Sequence, residues 1–95
     1  MKLYTNKDQT AKLIELGYFR PALSWKPPFG GRDEIIHNPF SIGELIEMLA
    51  GVSELEIIRY GSGWEVGDEL RAFTSEELID AIYDMIVKLK EVGVI

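Results

Sequence analysis

Glu76, Asp80 and Asp84 stand at intervals of four residues, a spacing that lines three carboxylates along one face of a helix. A divalent cation could bridge such a stripe if a second element supplied more oxygen ligands. Like-charged acids on a solvated helix face explain the pattern without a metal. His37 is the only histidine and there is no cysteine. Zinc would need further nitrogen or sulfur ligands, and acid–base work would need a nucleophile or an acid in reach, so His37 reads as a loop or surface residue. Gly61-x-Gly63 with Gly67 invites comparison with a phosphate-binding loop. A dinucleotide fingerprint needs a helix directly after its glycines, whereas Trp64-Glu65-Val66 is strand-like, and the Lys-Ser/Thr pair of a P-loop is missing. These glycines read as a turn. Glu44 and Glu77 could form an acid pair, but each sits three residues after a Ser or Thr, where it would cap a helix. The sequence thus offers no catalytic residue, no metal site and no cofactor-binding motif. Three aromatic residues, Trp25, Phe29 and Trp64, are the candidates for an interaction surface, because Trp and Phe concentrate at the centres of protein contacts. The competing role for all three is core filling.

The elements that position these residues announce themselves at their ends. Three times an aromatic residue precedes Ser or Thr with an acid three positions on: Tyr4-Thr5 with Asp8, Phe40-Ser41 with Glu44, and Phe73-Thr74 with Glu77. The hydroxyl can accept from an orphan amide of the first helical turn while the acid reaches back to the cap's own amide. Each is later followed by a Gly and an apolar residue: Gly17-Tyr18, Gly51-Val52 and Gly93-Val94. There the glycine would take the left-handed conformation that ends a helix. The three helices are expected over about residues 6–16, 42–50 and 75–92. Leu78, Ile79, Ile82, Met85, Ile86, Leu89 and Val92 share one arc of the last helix, which should supply most of the core. The caps recur after 36 and then 33 residues, but the intervening segments differ, so the pattern is repeated capping and not a solenoid.

Between helices the signals change. Residues 19–39 hold Pro21, Pro27, Pro28, Gly30, Gly31 and Pro39, which break helices and interior strands. Short extended pieces fit only at Ala22–Trp25 and Glu34–His37, with Trp25 and Phe29 available to pin the segment to the core. Residues 55–60, the turn Gly61-Ser62-Gly63 and Trp64–Val66 form a hairpin pattern, followed by a short strand near Leu70–Phe73. Leu55, Ile57 and Arg59 share one face of the first strand and Ile58 and Tyr60 the other, so cover is expected on both sides.

Ninety-five residues suit one domain, spanning 1–95. Without cysteine the fold must rest on packing alone, and the absence of disulfide staples favours the cytoplasm. The N-terminal ten residues are polar and lack a signal-peptide core, and no apolar run reaches the ~20 residues of a membrane span. The formal net charge of -6 is uneven. Residues 44–84 carry eleven acids against Arg59 and Arg71. A groove that tracks nucleic-acid phosphates needs clustered Lys and Arg, so neither nucleic acid nor a membrane is an expected partner.

Three blocks carry a resemblance: residues 4–17 (Tyr4-Thr5-Asn6-Lys7-Asp8-Gln9-Thr10-Ala11-Lys12-Leu13-Ile14-Glu15-Leu16-Gly17), residues 41–49 (Ser41-Ile42-Gly43-Glu44-Leu45-Ile46-Glu47-Met48-Leu49), and residues 77–95, from Glu77-Leu78-Ile79-Asp80 to Gly93-Val94-Ile95. They resemble a family of small uncharacterised proteins from gut-bacterial genomes and their phages or mobile elements. The resemblance implies a compact α+β domain and brings no activity, cofactor or catalytic residue. Residues 20–39 and 52–73 fall outside it.

The expected fold is α+β: three helices on a small antiparallel sheet, in the order α, irregular, α, β-hairpin plus short strand, α. The expected function is that of a small non-enzymatic accessory or protein-interaction domain, its partner another protein or a second copy. Two alternatives stand beside it: an acidic mimic of nucleic acid that would use Glu76, Asp80 and Asp84, and a small enzyme or enzyme subunit. Whether the acidic face of residues 44–84 acts or is merely solvated is a question for the structure.

Overall fold

A computed structural model describes residues 1–20, 22–25 and 34–95, with 22–25 and 34–36 described as backbone only. The helices are α1 (Lys7–Glu15), α2 (Ile42–Met48) and α3 (Leu78–Glu91), and the strands are β1 (Ala22–Trp25), β2 (Glu34–His37), β3 (Glu56–Tyr60), β4 (Gly63–Gly67) and β5 (Ala72–Ser75). The expected α+β class and element order hold. Two short strands occur where extended pieces were expected, and β1 pairs with β2 antiparallel from Ala22↔His37 to Trp25↔Glu34. The second sheet is antiparallel in the order β3-β4-β5.

The three helix starts have three different outcomes. At α2 the expected box forms: Ser41 Oγ accepts from the Glu44 amide at 3.2 Å, and Glu44 Oε1 accepts from the Ser41 amide at 3.1 Å. Phe40 and Leu45, the flanking apolar pair, are both buried in the core. At α1 the box lies one residue further on. Asn6 and not Thr5 is the cap, with Gln9 as its reciprocal partner at 2.8 and 3.0 Å. Thr5 turns inward instead. Its amide donates to the Phe40 carbonyl at 2.9 Å, while its Oγ1 accepts from the Phe40 amide at 3.0 Å and touches Thr10 Oγ1 at 2.7 Å. At α3 the expected cap fails. Thr74 belongs to β5, opposite Glu65, and the helix starts after Glu77, which makes no side-chain cap. Strand pairing claimed the Thr74 backbone before the helix could.

The helix ends follow local rules more closely. Gly17 (φ +106°) and Gly93 (φ +78°) are left-handed. The Tyr18 amide donates to Leu13 O at 3.1 Å and the Val94 amide to Leu89 O at 2.9 Å, each the long bond of a Schellman ending. Gly51 departs from expectation. It is not left-handed, and α2 closes through the Val52 amide on Leu49 O at 2.9 Å.

Helix α3 dominates the core. Leu78, Ile79, Ala81, Ile82, Met85, Ile86 and Leu89 are buried on it, joined by Leu13, Phe40, Leu45, Leu49 and Val66. Val92, assigned from periodicity to the same arc, is exposed at the helix end. Helix α3 packs on β4, β5 and α2. A helix about 10 Å across covers roughly two strands spaced ~4.8 Å apart. The expected helix cover of the first strand is therefore absent among the described residues, and most of the irregular segment expected to cover its other face lies outside them. All five residues of β3 are exposed, with Ile57 at 39%, Ile58 at 42% and Tyr60 at 71%.

Candidate functional site

The sheet edge at β3 is built by the hairpin. A two-residue loop, Gly61-Ser62, joins β3 to β4, and Gly61 takes the positive φ (+57°) that such loops require. The register runs Glu56↔Gly67, Ile57↔Val66, Ile58↔Glu65, Arg59↔Trp64 and Tyr60↔Gly63. At the far end of β4, Asp68 shapes the turn into β5. Its Oδ1 accepts from the Leu70 and Arg71 amides at 2.8 and 2.9 Å, and its own amide donates to Arg71 O at 2.9 Å. A side chain at Gly67 would run into the Arg71 carbonyl, so glycine is required there by space. Val66 enters the core, which sets one sheet face inward, with Ile57, Arg59, Trp64 and Phe73, and the other outward, with Glu56, Ile58, Tyr60 and Glu65.

Trp64 is half-buried against the core, and the Arg59 guanidinium lies over its ring, 5.0 Å from the centroid. It is therefore an inner support for the exposed strand and not itself an open anchor. Trp25 lies in β1, opposite Glu34, with its side chain outside the described residues. Phe29 lies outside them altogether. The structure thus unites Trp64 with Arg59 and the β3 edge. Sequence reading missed that edge because both faces of β3 carry apolar residues, the usual mark of a covered strand.

A second concave feature is a shallow groove of about 320 Å³ lined by Tyr18, Phe19, Phe40, Glu44, Glu47 and Met48. Arg20 contacts two of its lining residues, Phe40 and Glu44. The guanidinium stacks on Phe40 at 4.5 Å, donates to Pro39 O at 3.1 Å and pairs with Glu44. Burial works against the Glu44 charge, but the Ser41 backbone and side-chain bonds and the Arg20 bond and charge outweigh it. They hold the carboxyl below its ordinary range. Glu44 is thereby committed to capping α2 and binding Arg20.

The expected stripe of Glu76, Asp80 and Asp84 does not form one face of α3: Glu76 precedes the helix, which starts at Leu78, and Asp80 is engaged elsewhere. Asp80 Oδ1 accepts from Lys2 Nζ and from Gln9 Nε2, both at 2.7 Å. The Lys2 amide also donates to Glu77 Oε2 at 2.7 Å. Burial opposes the Asp80 charge, yet the Lys2 and Gln9 bonds and the Lys2 charge prevail, and its pKa is lowered. Asp84 moves the other way, raised by burial and then by the charge of Asp80. Tyr83 is raised by burial and by the charges of Asp84, Asp8 and Glu15. Among the described residues no group of three or more potential metal-ligating side chains converges. His37 lies at the end of β2, and its Nδ1 is buried without a hydrogen-bond partner among the described residues.

No family model, curated protein or solved structure matches this chain. No helix of the described residues is long and apolar enough to cross a membrane.

Proposed function

We propose that the chain is a small non-catalytic accessory domain that binds protein through the open edge of β3. The observation that carries this reading is a five-residue strand exposed along its whole length, bearing Ile57, Ile58 and Tyr60. Edge strands of soluble proteins are usually blunted by Lys, Pro, a bulge or a covering element. Here β3 has no Pro, its register with β4 is unbroken, and its two charged residues are Glu56 and Arg59, the latter drawn over the Trp64 ring. An exposed edge recognises an extended segment through main-chain hydrogen bonds, with alternate side chains adding specificity. The stacked Arg59–Trp64 pair stiffens the inner face of that edge. A cytoplasmic setting fits a chain that dispenses with cysteine.

Selection of displayed random peptides against the chain tests the reading. Peptides retained by the wild type and lost on Ile57→Pro support the edge as the binding surface. Peptides that bind both proteins equally place the contact elsewhere and sink the proposal.

A further inference from the structure

The hairpin register determines which peptide groups β3 leaves free. Residues that flank a two-residue loop exchange hydrogen bonds, and bonded pairs then alternate along the ladder. Tyr60, Ile58 and Glu56 therefore direct their amides and carbonyls at β4, opposite Gly63, Glu65 and Gly67. Ile57 and Arg59 direct theirs outward, to the edge that no described strand occupies.

Resting on the proposed edge-binding role, we infer that the partner is a second copy of this chain, joined β3 to β3 antiparallel about a two-fold axis. Such symmetry needs residues of the same bonding type opposite each other, so each allowed register is centred on one residue. Centring on Glu56 sets that acid against its own copy, and centring on Arg59 sets the two guanidinium groups together. Centring on Ile57 or on Tyr60 leaves part of the strand unmatched. Centring on Ile58 pairs all five residues, with Ile58 on Ile58, Ile57 on Arg59 and Glu56 on Tyr60. No like charges then stand directly opposite. Only the register centred on Ile58 pairs the whole strand with no like charges opposed, and it joins the two three-stranded sheets into one of six strands. Ile57 and Arg59 of each copy supply the new backbone bonds. Five residues per copy fall well short of the ~800 Å² per partner of a stable interface, so the dimer is weak and reversible. Two chains of net charge -6 repel at long range, and association strengthens as salt screens that repulsion.

The test uses sedimentation or light scattering from micromolar to millimolar concentration, together with cysteine cross-linking in this otherwise cysteine-free chain. Opposed Ile58 residues form a non-hydrogen-bonded pair with Cα atoms about 4.5 Å apart, inside the range a disulfide spans. Ile58→Cys should cross-link under mild oxidation at least tenfold faster than Tyr60→Cys, whose copies lie four residues apart along the strand. Ile57→Pro should abolish self-association without removing a β3–β4 bond, because that amide faces outward. Ile58→Lys, which sets like charges face to face, should do the same if the proline variant folds poorly. Equal cross-linking at positions 58 and 60, or a monomer at every concentration, would overturn the inference. Peptides selected by the wild type and lost on Ile57→Pro would still stand for the edge reading after such a result; their absence would remove both.

Discussion

Replacing Thr5 with valine keeps the side-chain volume and deletes one hydroxyl. That hydroxyl lies in a directed chain of bonds: the Phe40 amide donates to Thr5 Oγ1 (3.0 Å), Thr5 to Thr10 Oγ1 (2.7 Å), and Thr10 to the Asn6 carbonyl (2.7 Å). The middle direction follows from the last bond, which uses the Thr10 proton. Thr5 is 5% exposed, Thr10 4% and Phe40 3%, so water cannot substitute. Valine leaves the Phe40 amide buried without an acceptor, a loss of about 1–3 kcal/mol. Thr10 keeps its bond to Asn6 and adds little. A net loss of about 2 kcal/mol should lower the midpoint of thermal unfolding by roughly 8–16 °C in a domain of this size. Urea unfolding followed by circular dichroism would measure it, with the slope m unchanged. A loss below ~0.5 kcal/mol, the range of an ordinary surface substitution, would refute the buried relay.

Three further outcomes follow from the same structure. Asn6→Ala and Ser41→Ala should each cost ~1 kcal/mol as true caps, and Thr74→Ala, in an exposed strand position, clearly less in the same denaturation series. Gly67→Ala should destabilise by more than ~2 kcal/mol because its Cβ meets the Arg71 carbonyl, whereas Gly51→Ala, with open space and no left-handed φ, should be neutral or slightly stabilising. The lowered Asp80 pKa stabilises the fold above the unfolded value near 3.9, and that contribution fades as pH falls through the lower folded value. Asp80→Asn should therefore reduce stability at pH 7 by up to ~1 kcal/mol and flatten the acid limb of a stability–pH curve. Asp84, raised in the fold, has the opposite sign, and Asp84→Asn should be neutral or stabilising at pH 7.

The legible parts of the site were those built within a few residues of chain. The Gly61-Ser62 loop and β4 are recoverable from turn residues and alternation, and the Ser41–Glu44 box from its spacing. Trp64 stands out in the sequence as an aromatic contact candidate, but its role under Arg59 depends on the cross-strand pair, which no single segment encodes. Asp80 looked like part of a carboxylate stripe because Lys2, its partner, is distant in sequence.

By itself the sequence determined the three helices, the Schellman endings at Gly17 and Gly93 and the hairpin, because each depends on backbone preferences and bonds spanning a few residues. Tertiary structure decided the rest. Thr5 and Thr74 satisfy the local pattern of a cap, yet Phe40 claims one as a buried partner and β4 claims the other as a strand. It also decided that, among the described residues, no strand lies beside β3 on its outer edge. Helix α3 is wide enough for β4 and β5 only, so the outermost strand keeps its apolar side chains and the Ile57 and Arg59 peptide groups at an edge.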